Sequence, residues 1–368
     1  MGGWNELEGV VGVNWPAPTH ESTQDRTLRD RAVFRLAFLG PWLALAVTAV
    51  AVLAFGAPSR PLQLVPFAVS IVLFGLPHGA VDHRTLPWAY DKPPTRRWLA
   101  IVGGLYLVVG LAYAVVWFIA PVAAFAAFIL ITWFHWGQGE LHPLVELVDP
   151  THLRTRAARG LTVAARGSLP MVVPLVAFPA EYRWVAARLV GLFGVDTAAL
   201  DPIFSVTGRT VAAAVVATLV VAAIAVGYRS GARRAATSPT GRHAWAVDAG
   251  ELLFLTTYFL VVPPILAIGI FFPCWHSVRH ITRLLLLDET ATARLDEGNV
   301  GGALARFGRL ATPLTVGALV IFGGLALAVP VAPVDGGGLL AIYLVGIAVV
   351  TAPHVVVVTV LDLREGIW

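Results

Sequence analysis

The sequence predicts an all-α, polytopic transmembrane helical bundle of about ten spans, within a range of eight to ten, with its N-terminus on the cytoplasmic side. Three observations carry this expectation. Hydrophobic residues make up 57% of the 368 residues and charged residues only 13%, against about 25% charged in a soluble domain. The apolar residues come in runs long enough, at about 17–25 residues, to cross the hydrocarbon core as helix. Arginines collect in alternate connections between those runs, as short cytoplasmic loops do.

Residues 1–35 are mixed polar, with Pro16, Pro18 and acidic residues ahead of any apolar run, and read as a cytoplasmic tail rather than a cleavable signal peptide. Residues 36–368 read as one membrane domain. Its first two spans, 36–56 and 62–83, are joined by an outer turn carrying only Arg60. Arg84, Lys92, Arg96 and Arg97 mark the inner connection to spans 99–118 and 121–138. Arg154, Arg156 and Arg159 precede span 161–178, and Arg229, Arg233, Arg234 and Arg242 follow span 211–228. The stretch 249–287 is too long for one helix, and splitting it at Pro263-Pro264 into 249–263 and 265–287 places Arg294, Arg306 and Arg309 inside. Spans 313–333 and 338–360 complete the set. Segment 179–210, with Arg183, Arg188 and Arg209, departs from the charge pattern and reads as an outer amphipathic helix or a further short span.

Composition also excludes some chemistry. The single cysteine, Cys274, has no partner for a disulfide or a CxxC site. The net charge of +4 is spread between apolar runs rather than gathered on a face, which argues against nucleic-acid binding.

The ten histidines are the informative minority. His20, His142, His152 and His243 fall in polar tails or loops and are expected to be solvated. His78, His135, His276, His280 and His354 lie inside or at the ends of apolar spans, with His83 at a boundary. Ionisable groups at membrane depth are costly and mark function. Counted from the expected helix starts, the five deep histidines fall 16, 14, 11, 15 and 16 residues along helices running in one direction. At 1.5 Å per residue they share a slab about 8 Å thick.

His276 and His280, four apart, project from one helical face. With His78 and His135 they offer four imidazoles to one centre, a donor set suited to Fe, Zn, Cu or Ni. Asp82, His83, Glu140 and His354 are candidates for outer partners or an extra ligand, although a carboxylate at a helix end is equally suited to pairing with arginine. Phe74, Trp133, Phe134, Trp136, Phe272 and Trp275 crowd the same regions and read either as an interfacial aromatic belt or as the lining for a long apolar ligand. Gly75, Gly79, Gly137 and Gly139 flank the histidines, and serve either close helix approach or open space beside the centre.

The ordered motifs Gly75-Leu76-Pro77-His78-Gly79-Ala80-Val81-Asp82-His83, Phe134-His135-Trp136-Gly137 and His276-Ser277-Val278-Arg279-His280, followed by Pro353-His354, resemble the Brp/Blh family of membrane beta-carotene 15,15'-dioxygenases over about 62–360. The resemblance implies a catalytic domain at 36–368 that holds non-haem iron, Fe2+, on His78, His135, His276 and His280. It also implies cleavage of the central double bond of beta-carotene by O2 into two molecules of retinal, in the cell membrane, with a functional link to a microbial rhodopsin. The chain departs from the family in its polar N-terminal segment and in longer polar loops near 141–160 and 229–247. The rival readings are a di-iron lipid desaturase, a haem-binding membrane cytochrome and a non-catalytic carotenoid-binding or transport protein. A desaturase needs more HxxxH and HxxHH motifs than the one HxxxH present.

Overall fold

The computed structural model describes residues 23–148, 152–235 and 240–368, and all regular structure among them is helical. Nine helical segments among the described residues are long and apolar enough to cross a membrane. In chain order the main helices are α1 (Thr27–Phe55), α2 (Arg60–Val72), α3 (Asp82–Ala89), α4 (Arg96–Ile119), α5 (Pro121–Leu147), α6 (Arg156–Ala177) and α7 (Pro179–Gly191). They continue as α8 (Val206–Ala235), α9 (Thr240–Val261), α10 (264–287), α11 (Glu289–Asp296), α12 (Val300–Ala328) and α13 (Gly336–Glu365). The segment Arg60–Ala89 counts as one of the nine spans although α2 and α3 are separated by nonhelical backbone. Helix α10 spans 24 residues, but His276, Arg279, His280 and Arg283 dilute its hydropathy.

The proline split holds. α9 ends at Val261 and α10 begins at Pro264, where a missing N–H costs nothing in the first helical turn. α7 is 13 residues long, too short to span, and packs on α13 and α5. Residues 23–34, which fall in the expected polar tail, are helical, and Thr27–Phe34 form the first part of α1. Arg29 there is buried and paired with Asp296 of α11, which gives this polar stretch a partner inside the fold. The polar loops are also shorter than expected: helix continues to Leu147 and resumes at Arg156, and around the later loop it runs to Ala235 and restarts at Thr240.

Within α6, 72% of the most apolar window is buried, against 11% within α12, so α6 is central and α12 peripheral. Glycines allow that centre to close. A Cβ at Gly137 would sit 2.1 Å from the Val163 carbonyl oxygen, and one at Gly167 would sit 1.9 Å from the Trp133 carbonyl oxygen. The α5 and α6 backbones therefore meet through two glycines, as closely packed membrane helices require.

Beneath this contact lies a buried ion network. Arg166 donates to Glu140 (2.8 Å), Glu251 (3.0 Å) and Asp248 (2.7 Å). Arg279 donates to Glu140 at 2.9 Å and also to Glu251. Trp275 and Trp42 each donate an indole N–H at 2.7 Å, to Glu140 and Glu251 respectively. The network ties α1, α5, α6, α9 and α10 together, and at this depth each charge is tolerable only because it is paired.

Two histidines expected in solvent are in fact buried. His152 is fully buried against Asp248, 3.0 Å away, and His142 is 4% exposed near Glu365. His152 meets the network at Asp248, and His142, within α5, meets Glu365 of α13, so local polarity reports a partner rather than solvent. His20 and the side chain of His243 lie outside the described residues.

Candidate metal centre

The second span unwinds where the chemistry sits. α2 ends at Val72, Phe74 adopts φ of 61°, and Leu76–Gly79 forms one 3-10 turn carrying His78. Pro77 and Gly75 favour this break, and nonhelical backbone at membrane depth is tolerated only when enclosed by protein or lining a cavity. A phenylalanine at positive φ is a strained residue, and it adjoins the site. In α10, residues 272–277 form a π-helical stretch that carries His276. Pro273, which removes a backbone donor, sits within that wider turn.

These elements bring five imidazoles together. The His354 ring centroid lies 5.0 Å from His78, 4.9 Å from His135 and 5.2 Å from His280. His276 lies 4.8 Å from His135 and 5.5 Å from His78. All five are at most 7% exposed. The cluster therefore contains the four histidines first expected to share one centre and adds His354, with the His78 ring within 6.4 Å of each of the other four.

Hydrogen bonds orient two of the rings. His78 Nδ1 donates to the Gly75 carbonyl, and His354 Nδ1 donates to Asp82 at 2.8 Å, which leaves both Nε2 lone pairs unengaged. Tyr106 donates to the same Asp82 carboxylate at 2.6 Å. A carboxylate behind an imidazole, fixing its tautomer, is the usual outer arrangement of a metal site. His135 Nδ1, His276 Nδ1 and His280 Nε2 also lack hydrogen-bond partners despite burial. Buried polar atoms without partners are rare and call for an explanation.

A metal ion fits this donor set. Candidate ligand atoms of His78, His135 and His354 lie within 4.8 Å of one another, as do those of Asp82, His280 and His354. His135 Nε2 and His276 Nε2 are 3.1 Å apart, close to the separation of about 3 Å for two ligands at right angles on bonds of about 2.1 Å.

Two cavities meet at the cluster. The first, about 910 Å3, is lined by Phe67, Phe125, Phe128, Trp136, Phe272 and Tyr343 as it approaches His78 and His135. The second, about 920 Å3, reaches His78, Asp82, His83 and His354. His78, Ile347 and Thr351 line both.

The other expected residues separate. Asp82 contacts His354 directly. His83 is partly exposed and faces the second cavity, with its Nδ1 unpartnered. Glu140 does not bond a histidine; Arg166, Arg279 and Trp275 occupy its oxygens, so of its two expected roles it takes the arginine-pairing one. Of the six expected lining aromatics, Trp136 and Phe272 face the first cavity. Trp133 donates to the Ala164 carbonyl, Phe134 stacks on Trp368, Trp275 packs under Arg279, and Phe74 faces a separate surface pocket, so these four lie away from the first two cavities. Gly79 and Gly139 make room for the rings: a Cβ would lie 3.2 Å from His354 and 2.8 Å from His276, respectively. Tyr106 and Thr351 are the site residues that spacing did not mark.

Fold and site together define a polytopic helical membrane protein with a buried polyhistidine centre between apolar cavities. Residues 69–362 match the family model described as Beta-carotene 15,15'-dioxygenase, and the chain belongs to that family. It is 44% identical over 341 residues, 92% of this chain and 95% of the relative, to the probable beta-carotene 15,15'-dioxygenase Blh of Halobacterium salinarum. The probable beta-carotene 15,15'-dioxygenase Brp of the same organism is 30% identical over 82% of this chain and 84% of its own length. No solved structure gives a significant match.

Proposed function

We propose that the chain is an iron-dependent dioxygenase of the cell membrane that cleaves beta-carotene at its 15,15' double bond with O2, giving two molecules of all-trans-retinal. The observation that carries this reading is the cluster of five buried imidazoles, with the Nε2 atoms of His78, His280 and His354 unpartnered and those of His135 and His276 3.1 Å apart, opening onto apolar cavities. His78, His135, His276, His280 and His354 would hold the ion, and when bound it supplies activation of O2 and Lewis acidity. Rings converging at steep angles from four segments of chain favour a bare ion over a haem, whose ligands oppose one another across a macrocycle.

The remaining work belongs to the protein. Apolar walls admit a polyene directly from the bilayer, so the substrate need not pass through water. Phe272 and Trp136 flank His78 and His276, their ring centroids 5.4 Å and 5.8 Å from those imidazoles respectively, and would hold the polyene against the centre. Asp82 offsets part of the cation's charge through His354 and keeps that imidazole's Nε2 lone pair directed inward. In the balanced reaction one C=C bond breaks and two C=O bonds form, each taking one atom of O2, with no external reductant. A microbial rhodopsin would then consume the retinal.

The test is expression in cells that make beta-carotene. Loss of orange colour with formation of retinal is expected from the wild type. His276→Ala should insert normally yet retain neither bound iron nor retinal formation. Normal turnover in that variant would refute the histidine assignment.

A further inference from the structure

The two cavities differ in how they meet the outside. No residue lining the first is exposed, and its Phe67, Phe125, Phe128, Trp136, Phe272 and Tyr343 are each at most 8% exposed, so it is the more enclosed of the two. The second is walled by Leu99, Val102, Gly103 and Tyr106 of α4 and by Leu314, Gly317, Ala318 and Ile321 of α12. Leu99 is 46% and Ile321 52% exposed, on helix faces that a bilayer would cover. Both α4 and α12 pack on α13 and make little contact with each other. At the gap, Gly103 and Gly317 are exposed, and a Cβ on either would meet nothing within 4 Å.

Small residues bordering a gap do not make a site by themselves. Here the gap leads to unpartnered polar atoms on side chains at least nine-tenths buried: His78 Nε2, His354 Nε2 and Asp82 Oδ1. The passage therefore runs from the lipid-facing surface to the histidine centre, and past His78, Ile347 and Thr351 into the more enclosed aromatic cavity.

Resting on the beta-carotene reading above, we infer that the gap between α4 and α12 is the lateral portal for the polyene, and that the two cavities hold its two halves. The substrate enters end-on from the bilayer. Its leading ring comes to rest in the enclosed aromatic cavity, while the trailing half remains in the cavity behind the portal. Two cavities on either side of the centre, joined past His78, Ile347 and Thr351, suit a molecule made of two halves and cut between them. The depth of the enclosed cavity then acts as the ruler that brings the central bond to His78 and His354. Gly103 and Gly317 hold the portal open, and Thr351 marks the crossing between the halves.

The test compares bulky residues at the mouth with the same residues just beside it. Gly103→Phe and Gly317→Phe narrow the portal; Gly104→Phe and Gly324→Phe enter equally open space off the cavity lining and serve as controls. All four replace glycine in a helix, which does not weaken the helix itself. The mouth variants should lose about tenfold or more in kcat/KM for beta-carotene, mainly through KM, with metal content per chain unchanged and the controls near wild type. Mouth variants that cleave as well as the controls would overturn the portal. Carotenoid loading is read separately, from visible absorption of chains purified in the His276→Ala background, so it does not depend on turnover. Loading that falls in the mouth variants alone supports the portal even if the wild type releases no retinal, a result that would refute only the cleavage reading. Equal loading in mouth and control variants overturns the portal, and no loading in any chain overturns both.

Discussion

Asp82→Asn tests how the centre is held with the smallest change of shape. The Asp82 carboxylate is 1% exposed and takes hydrogen bonds from His354 (2.8 Å) and Tyr106 (2.6 Å). The amide keeps the volume but loses the charge, and it can still accept one of the two bonds. A hydrogen bond to a buried charged group contributes about 1.5–3 kcal/mol. Converted at 1.4 kcal/mol per decade, this is about a 10- to 100-fold loss, the range typical of removing an outer partner of a metal-bound histidine. Iron retained after dialysis against a graded chelator series should fall by that factor, with a parallel fall in retinal formed per minute. Tyr106→Phe, which removes only the second donor, should show a smaller loss in the same direction. If Asp82→Asn holds iron as tightly as wild type, Asp82 does not orient His354 toward a metal and the reasoning fails.

Further outcomes follow from close contacts and paired charges. Gly139→Ala places a Cβ 2.8 Å from the His276 ring and should displace it, lowering iron content and turnover about 10-fold or more while the chain stays folded by circular dichroism. Gly137→Ala places a Cβ 2.1 Å from the Val163 carbonyl and must spread α5 from α6, so Tm in detergent should drop as expected for about 1–3 kcal/mol of overpacking. Arg279→Met leaves Glu140 and Glu251 short of a cation and should cost about 3–5 kcal/mol, seen as loss of monodisperse protein on extraction. A wild-type elution profile for Arg279→Met would show that the network is not needed for folding.

Much of the bundle was legible because the solvent is lipid. Long apolar runs can do little else, and Pro263-Pro264 marks its break in the primary sequence. The histidines stood out for the same reason: five ionisable rings in an apolar background fall at similar counts from the expected span starts, although His78 sits on a 3-10 turn and His276 on a π-helical stretch that spacing does not show. What stayed hidden depends on neighbours distant in sequence. Tyr106 sits in an apolar run and reads as an interfacial aromatic until Asp82 is found opposite it. His152 reads as a loop residue until Asp248, 96 positions away, is found against it. Spacing could not choose between the two roles of Glu140, because its arginines arrive from α6 and α10. The glycines also divided only in three dimensions, Gly137 serving helix approach while Gly79 and Gly139 give room to imidazoles. The inner end of the second cavity is lined by the motif at 75–83 and His354, but its outer walls, from α4 and α12, carry no motif.

The most direct test of the central claim is product stoichiometry. Purified, iron-loaded chain is given beta-carotene in detergent under 18O2, and the products are separated and weighed by mass spectrometry. A centre placed midway along the substrate predicts two all-trans-retinal molecules per beta-carotene consumed, each carrying one 18O when carbonyl exchange with water is suppressed by rapid reduction. Apocarotenals of unequal length, or beta-carotene left intact beside a fully loaded centre, would contradict it.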